Sequence, residues 1–256
     1  MLLKTSRRIL NFYKRWQNAR KIGIHFSGLS HFTLPRQIII NHKTIKPQLY
    51  QDASTTSAFI EIFLNDCYGL FYFKKQIDNI VSVVDIGANQ GLFVLFARNV
   101  FPNATIHAYE PNELVIDSLS KHANEATARY FNEAVGLTNS KITLNNGVDT
   151  LHGKTYISEE GNITQISIKE CLQRMNGKID ILKLDCEGAE WEILEDFESL
   201  QSVQAITLEY HMDDEHLAIH QNDHSSILKL LQRNNFTIVH QSFDGPTWGV
   251  VWATRH

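Results

Sequence analysis

The chain is poor in cysteine and has no long apolar run. Its 256 residues include three cysteines, Cys67, Cys171 and Cys186, which are too few and too scattered for a disulfide framework. No apolar segment approaches the ~20 residues that a membrane-spanning helix requires. The opening Met-Leu-Leu-Lys-Thr-Ser-Arg-Arg lacks the apolar stretch and the small-residue cleavage site of a secretory signal. These absences predict a cytoplasmic protein.

Acidic residues are absent from the first 51 positions, which contain ten Lys or Arg, and the first acid is Asp52. Residues 1–21 place Ile9, Leu10, Phe12, Tyr13 and Trp16 at spacings that fit one helical face. The same segment has seven basic residues: Lys4, Arg7, Arg8, Lys14, Arg15, Arg20 and Lys21. Such a helix could lie on an anionic membrane surface, or it could pack its apolar stripe on the main domain or on another subunit. We therefore divide the chain into a basic extension, residues 1–50, with an amphipathic helix and a short hairpin, and a domain spanning residues 51–256.

The glycine-rich fingerprint of dinucleotide-binding proteins, Gly-x-Gly-x-x-Gly, is also absent. In its place a β-branched run ends in Asp85 and is followed by Gly87, Gly91 and an apolar, helix-like segment. This order of strand, glycine turn and helix is typical of the first unit of an open α/β sheet. The glycines would let the backbone approach a ligand, and Asp85 would lie where such sheets bind one. A carboxylate here would repel a pyrophosphate but suits a cation, such as the amino-acid end of S-adenosylmethionine.

A second acid, Glu110, ends the next predicted strand, Thr105–Tyr109. Its distance from the glycine turn is about that expected of a residue that holds a ribose diol. The two acids and the glycine turn therefore predict a nucleoside cofactor.

Three motifs identify a resemblance. The pattern Asp-x-Gly-x-Asn-x-Gly at Asp85–Gly91 resembles the first motif of class I S-adenosylmethionine methyltransferases. Asp180–Glu190 reads Asp-Ile-Leu-Lys-Leu-Asp-Cys-Glu-Gly-Ala-Glu, and together with Val83–Asn89 and Ala108–Pro111 it resembles the FkbM family of methyltransferases. The similarity covers roughly residues 56–210 and departs from the family at Cys186, where an aliphatic residue is usual.

The resemblance implies both a fold and an activity. The expected fold is α/β, with a seven-stranded, mostly parallel, Rossmann-like sheet, helices on both faces and an antiparallel hairpin at the C-terminus. The expected activity is O-methylation, with S-adenosyl-L-methionine as co-substrate and a hydroxyl of a sugar, glycan or glycolipid as acceptor. The residues expected to bind the co-substrate are Tyr68, Asp85, Gly87, Ala88, Asn89, Gly91, Glu110, Pro111, Asn132, Ala134 and Asp185. Tyr68 could equally be a core tyrosine, and Asn132 and Ala134 belong to a predicted third strand, Arg129–Val135.

Methyl transfer to a hydroxyl needs alignment of the reacting atoms and a base for the hydroxyl proton. The candidates follow two predicted strands: Asp185 and Glu187 after one, Glu209 and His211 after the next. We expect Asp185 and Glu209 to face the methyl group, and His211 to be the base because its ordinary pKa lies near neutrality. Glu187 could instead stabilise the start of a helix predicted over Glu190–Leu200.

A divalent cation could bind Asp185, Glu187 and Glu209. Four histidines, His211, His216, His220 and His224, follow with Asp213 and Asp214 among them, but a predicted helix cap at Asp223 breaks any common face. No pair has a zinc spacing, so no metal site is predicted.

Three other functions compete with the enzyme. A non-catalytic subunit with the same fold would bind S-adenosylmethionine without making product. A nicotinamide-dependent oxidoreductase is opposed by the missing fingerprint. Nucleic-acid methylation is opposed by the lack of an aromatic Asn/Asp-Pro-Pro-Tyr-like site for a flipped base, although the basic extension could contact phosphates.

Overall fold

The computed structural model describes residues 2–25, 32–146, 153–157, 161–212, 224–243, 245 and 247–255, with the backbone alone for residues 2–10, 145–146 and 153–157. In chain order the strands are β1 (Ile38–Ile40), β2 (Lys43–Ile45), β3 (Ser82–Ile86), β4 (Thr105–Tyr109), β5 (Arg129–Phe131), β6 (Ala134–Gly136), β7 (Ser140–Asn146), β8 (Gly153–Ile157), β9 (Ile163–Ser167), β10 (Ile179–Leu184), β11 (Val203–His211), β12 (Thr237–Phe243) and β13 (Trp248–Thr254). The α-helices are α1 (Leu2–Lys21), α2 (Ala53–Phe59), α3 (Leu70–Gln76), α4 (Leu92–Val100), α5 (Ile116–Glu125), α6 (Ile168–Gln173), α7 (Glu190–Ile193) and α8 (His224–Arg233).

A seven-stranded sheet in the order β12-β13-β11-β10-β3-β4-β5 forms the centre of the protein. Strands β5, β4, β3, β10 and β11 pair in parallel along the sheet. Strand β13 runs antiparallel to both β11 and β12, so it alone is reversed. This is the expected class I methyltransferase sheet with its C-terminal hairpin, and the predicted fold class is confirmed.

Alternation along the buried strands gives the sheet two apolar faces. Val83, Ile106 and Ile181 belong to the core cluster that also contains residues of α3, α4 and α5. Their chain neighbours Val84 and Leu182 belong to a second cluster with residues of α6, α7 and α8. Successive side chains of a strand point to opposite faces, so the helices cover both sides of the sheet.

Two predicted elements were longer than the observed ones. The third strand ends at Phe131 instead of Val135, because the Asn132 side chain donates to the Glu110 carbonyl (2.9 Å) and the chain turns away. Strand β6 then joins β9 in a separate sheet of order β6-β9-β7-β8. The helix predicted over Glu190–Leu200 ends at Ile193, and the carboxylate of Asp196 accepts the N–H of Ser199 (3.0 Å) to start a 3₁₀ turn.

The predicted N-terminal helix and hairpin are present as α1 and the pair β1–β2. Helix α1 lies against a π-helix, Ile60–Asn65, where the Asn18 side chain donates to the Leu64 carbonyl (3.0 Å). Ile22 and Ile38 are buried in the cluster that contains α4. The division of the chain at residue 50 stays a prediction. Within the described residues, no helix is both long and apolar enough to cross a membrane.

Candidate active site

A cavity of about 380 Å³ opens at the carboxyl ends of β3, β4, β10 and β11. The predicted site residues that line it are Tyr68, Gly87, Ala88, Asn89, Glu110, Pro111, Ala134, Asp185, Glu187 and Glu209. Four predicted site residues, Asp85, Gly91, Asn132 and His211, are not among its lining. The cavity therefore brings together residues that are far apart in the sequence, from Ser54 to Trp248.

The glycine turn after β3 is shaped by the neighbouring backbone. The N–H groups of Gly87 and Ala88 both donate to the carbonyl of Tyr109, each at 3.0 Å. Gly87 has φ of +77°, and a Cβ there would lie 1.7 Å from the Asp185 carbonyl oxygen. Gly91, with φ of +84°, packs against Leu119 at the start of α4 instead of facing the cavity. The missing Cβ of Gly91 thus leaves room for α5, whereas that of Gly87 leaves room for the Asp185 backbone at a position that also lines the cavity.

Gly87→Ala is expected to destabilise the protein and to abolish co-substrate binding. A left-handed backbone costs a non-glycine residue about 1–2 kcal/mol, and the clash with β10 adds to this. Gly177→Ala is the matched control, because a Cβ there meets nothing within 4 Å, and its effect should stay within about 0.5 kcal/mol. Denaturant unfolding of both variants measures the difference; equal stabilities would contradict this explanation of Gly87.

Glu110 is held at the end of β4 with its carboxylate towards the cavity. Its Oε2 accepts the N–H of Asn89 (2.7 Å) and its Oε1 accepts the N–H of Asn112 (2.8 Å). Burial raises the pKa of Glu110 to about 7, against the opposing effect of these two hydrogen bonds. Asn132 is exposed, and its side chain donates to the backbone carbonyl of Glu110. This geometry fits a carboxylate presented to a ribose diol.

Asp85 lies beneath the cavity, fully buried, and pairs with Lys183 (Oδ1 to Nζ, 3.0 Å). Nζ of Lys183 also donates to the Gly87 carbonyl (2.6 Å) and lies 3.5 Å from Oδ2 of Asp185. Burial lowers the pKa of Lys183, but Asp85 and Asp185 together raise it above its ordinary value, so the lysine stays cationic. We expected Asp85 to contact the amino-acid end of the co-substrate; the structure instead gives it Lys183 as its partner.

Tyr68 is buried at the cavity wall, and its hydroxyl donates to Oδ2 of Asp185 (2.8 Å). Its ring packs edge-on against Phe93, with ring centroids 5.4 Å apart. Asp185 therefore accepts a hydrogen bond from the Tyr68 hydroxyl and lies beside the ammonium group of Lys183. Part of its carboxylate stays accessible in the cavity.

His211 is surrounded by carboxylates. Its ring nitrogens lie 3.6 Å from Glu190, 3.6 Å from Glu209 and 3.9 Å from Glu187. Burial lowers the pKa of His211, but the surrounding carboxylates of Glu190, Glu209 and Glu187 outweigh this effect and raise it to about 12. The carboxylates thus favour the protonated imidazole, which cannot accept a proton, so they disfavour His211 as the base; the base role of His211 stays a prediction.

Glu190 and Glu187 have different surroundings. Glu190 is fully buried and accepts the N–H groups of Cys186 (2.5 Å) and Gly188 (2.9 Å), which shapes the turn after β10. Glu187 stands in that turn with φ of +54° and lines the cavity. Glu190 therefore has the structural role, and Glu187 remains a candidate for contact with a ligand.

Asp185, Glu209 and His211 each present one potential metal-ligand atom, and these atoms lie within 4.8 Å of one another. The expectation that no metal is needed stays a prediction. His216, His220, Asp213, Asp214 and Asp223 fall outside the described part of the chain.

Sequence reasoning missed one wall of the cavity. It is formed by α2 and the π-helix, which contribute Ser54, Ser57, Ala58, Glu61 and Ile62. The one signal for it was Glu61, an isolated acid in an apolar stretch. The π-helix that contains Glu61 is a feature often found at functional sites, but no sequence pattern predicts it.

A strap, residues 48–55, ties this wall to the glycine turn. The N–H of Gln48 donates to Nε2 of His122 (2.9 Å), and the N–H of Tyr50 donates to Oε1 of Gln90 (3.1 Å). Nε2 of Gln90 in turn donates to the hydroxyl of Thr55 (2.8 Å). His122 is fully buried and must stay neutral to accept the Gln48 hydrogen bond.

Stability is expected to fall below neutral pH partly through His122. Burial lowers the pKa of His122 to about 4, so between about pH 6.5 and pH 4 the unfolded chain binds a proton that the folded chain does not. Between pH 7 and pH 5 this group alone should cost about 2 kcal/mol of unfolding free energy. His122→Gln should reduce the measured pH dependence by that amount, whereas His25→Gln, at an exposed position, should not. An unchanged pH dependence in His122→Gln would refute the assignment.

Comparison with known proteins decides the family. The FkbM methyltransferase domain matches residues 85–238, more than half of the chain. The chain belongs to the FkbM methyltransferase family. It is a methyltransferase that uses S-adenosyl-L-methionine, and the cavity beside Glu110 offers the residues to hold it.

Curated relatives of this FkbM protein are also methyltransferases. It is 28% identical over 192 residues to methyltransferase sdnD of Sordaria araneosa, which covers 58% of this chain and 72% of the relative. It is 22% identical over 162 residues to methyltransferase 1 of Beauveria bassiana, which covers 52% of this chain and 64% of the relative.

Among solved structures, similarity extends to fibrillarin, a pre-rRNA processing protein of Methanococcus jannaschii, with a TM-score of 0.44, 11% identity and coverage of 69% of this chain and 67% of that one. It extends also to TrmK of M. capricolum bound to S-adenosyl-homocysteine, with a TM-score of 0.39, 14% identity and coverage of 74% and 68%. The fold assignment rests on the strand order and the family, not on these distant likenesses.

Proposed function

We propose that this FkbM protein methylates the oxygen of a hydroxyl group, with a sugar, glycan or glycolipid as the acceptor. The observation that carries the proposal is the pair Asp185 and Glu209, which line the cavity with oxygen atoms within 4.8 Å of each other. Two carboxylates at this spacing can act on one polyhydroxylated acceptor, one by removing the proton of the reacting hydroxyl and one by accepting a hydrogen bond from a neighbouring hydroxyl.

We assign the role of base to Glu209. Its burial and the nearby charge of Asp185 raise the pKa of Glu209, although His211 opposes this effect. A carboxylate with a raised pKa is a stronger base near neutral pH. Asp185, held by Tyr68 and Lys183, would then orient the acceptor by accepting a hydrogen bond from a neighbouring hydroxyl of the same sugar.

Atoms and charges balance in this assignment. When bound, S-adenosylmethionine supplies a methyl group on a sulfonium sulfur, and transfer forms an O–C bond as the C–S bond breaks with its electron pair left on sulfur. The hydroxyl proton goes to Glu209 and leaves with solvent after product release. The positive charge of the sulfonium is lost in the reaction. The carboxylates of the site therefore stabilise the cationic reactant more than the neutral product. Proton transfer to Glu209 has to compensate for this loss of stabilisation.

The lining of the cavity supports a polyhydroxylated acceptor. Besides the two carboxylates it contains Ser54, Glu61 and Trp248. Carboxylates accept hydrogen bonds from neighbouring hydroxyls, and an indole ring offers an apolar surface to the face of a sugar. The names of the curated relatives specify no acceptor, so the acceptor class rests on these residues and on the resemblance.

A non-catalytic binding subunit is the alternative. The test is to measure S-adenosylhomocysteine formation with a panel of simple glycosides and glycolipids, with RNA and a peptide mixture as comparison acceptors. We expect turnover with a member of the sugar panel only. Binding of S-adenosylhomocysteine without turnover on any acceptor would favour the binding subunit.

Because all three cysteines are unpaired, we also propose a reducing compartment, such as the cytoplasm, as the place where the protein works.

A further inference from the structure

Helix α1 presents an aromatic and basic surface to solvent. Its inner face is formed by Asn18, Ala19 and the following Ile22, all buried against the protein. On the other side Phe12 is 43% exposed and Tyr13 is 55% exposed, and Tyr13 stacks on Trp16 with ring centroids 6.0 Å apart. The guanidinium of Arg20 lies 4.7 Å above the Trp16 ring. The inner face of the helix therefore packs on the domain, and its outer face presents aromatic rings and cations to solvent.

The structure extends this surface to a second element that the sequence did not connect with it. Burial lowers the pKa of Lys21 of α1, and the nearby Lys75 and Lys74 of α3 and Lys14 of α1 lower it further, while the carboxylate of Asp66 opposes them. Nζ of Lys21 also lies 4.0 Å above the ring of Phe71 in α3. We define the α1–α3 surface as Phe12, Tyr13, Lys14, Trp16, Arg20, Lys21, Lys74 and Lys75. Four lysines gathered from two helices repel one another, and the single carboxylate of Asp66 offsets part of their charge, so an anionic partner would stabilise this surface.

We propose that the α1–α3 surface binds an anionic lipid bilayer. Its charge complements a negatively charged membrane, and the first 51 residues of the chain contain no acid that would oppose the contact. The exposed rings favour a bilayer over a nucleic-acid duplex, since aromatic side chains beside cations suit the boundary between headgroups and acyl chains. A phosphate backbone would be bound by the cations alone.

This contact would serve the proposed acceptor class. Helix α1 lies directly on the π-helix, where Lys14 donates to the Asn65 carbonyl (2.8 Å) and Arg15 donates to the Asn65 side chain (2.6 Å). Glu61 and Ile62 of the same π-helix line the active-site cavity. A bilayer bound at α1 is therefore one helix away from the cavity wall, a suitable place for a glycolipid to enter. The contact itself does not depend on the reaction being the proposed one.

The test is flotation of the full-length protein with vesicles of phosphatidylcholine alone and of phosphatidylcholine mixed with phosphatidylglycerol. We expect binding to the mixed vesicles only, and less binding as NaCl is raised. The double variant Lys74→Gln, Lys75→Gln should bind about 25-fold more weakly, at about fivefold for each lysine near the surface. Tyr13→Ser should weaken binding without any change of charge.

A matched control makes the same charge change on the opposite face of the sheet. Lys169→Gln, Lys229→Gln alters exposed lysines of α6 and α8, which pack in the other core cluster, and should bind vesicles like the wild type. Equal losses in the two double variants, or no binding to mixed vesicles, would overturn the proposal. Binding to transfer RNA with the same dependence on Lys74 and Lys75, and none to vesicles, would also overturn it and assign the surface to nucleic acid. Because flotation needs no acceptor, its outcome is separate from that of the turnover assay.

Discussion

Glu209→Gln is expected to lower kcat by about 10²–10⁴-fold, the usual contribution of a general base. The amide keeps the size of the side chain but cannot accept the hydroxyl proton, so the loss should appear in the chemical step. In the wild type, activity should fall as the pH is lowered through the raised pKa of Glu209, and in the variant this limb of the profile should disappear. The measurement is single-turnover methylation of the acceptor found in the glycoside screen, from low to high pH.

Two further variants make this prediction specific. Glu192→Gln removes an exposed carboxylate on α7 and should retain wild-type activity. Asp185→Asn should also reduce kcat, but the limb of the pH profile that belongs to Glu209 should remain. Glu209→Gln and Glu192→Gln should bind S-adenosylhomocysteine as the wild type does. If Glu209→Gln and Asp185→Asn both turned over the acceptor at the wild-type rate, the carboxylates would have no part in the chemistry.

Glu110→Ala is expected to remove most of the stabilisation that S-adenosylhomocysteine gives the wild-type protein. At a hundredfold its Kd the ligand should stabilise the wild type by about 2.7 kcal/mol, which raises the Tm by about 2–4 °C per kcal/mol for a chain of this size. A hydrogen bond to a charged group is worth about 1.5–3 kcal/mol, which means an affinity loss of roughly 10–100-fold. At the same ligand concentration the stabilisation should then fall to about 0.4–1.4 kcal/mol.

Glu110 also accepts two backbone N–H groups, so the unliganded Tm of the variant must be measured as well. Glu110→Gln retains an acceptor oxygen for one of them and should give a smaller loss of intrinsic stability with a similar loss of ligand effect. Glu113→Gln is the control, because Glu113 is exposed three residues further along. If Glu110→Ala were stabilised by the ligand as much as the wild type, the ribose contact would have to be assigned to another residue.

The sheet and the position of the cavity could be predicted because local patterns determine them. The β-branched run before Asp85, the glycine turn and the apolar α4 form one continuous signal, and the acid at the end of β4 has a spacing set by the β-α-β geometry. The near-continuous apolar run of β10 likewise indicates a strand buried on both faces. These inferences need only neighbours in the sequence.

The electrostatic roles in the site could not be predicted in this way. His211 was expected to be the base because its ordinary pKa is near 6.5, yet Glu190 and Glu209 raise that pKa and favour the imidazolium once the turn after β10 meets β11. Asp85 was expected to meet the co-substrate, yet Lys183 on the neighbouring strand pairs with it. Each role depends on charges brought together from separate strands, which no spacing along the chain encodes.

The most direct test of the central claim is where the methyl group goes. The protein would be incubated with S-adenosylmethionine labelled in its methyl group and with the glycoside that supports turnover, and the product examined by NMR. We predict one labelled methoxy group on a sugar carbon, and no such product from Glu209→Gln. Label on nitrogen or carbon of the acceptor, or no labelled product from protein that binds S-adenosylhomocysteine, would contradict hydroxyl methylation by this site.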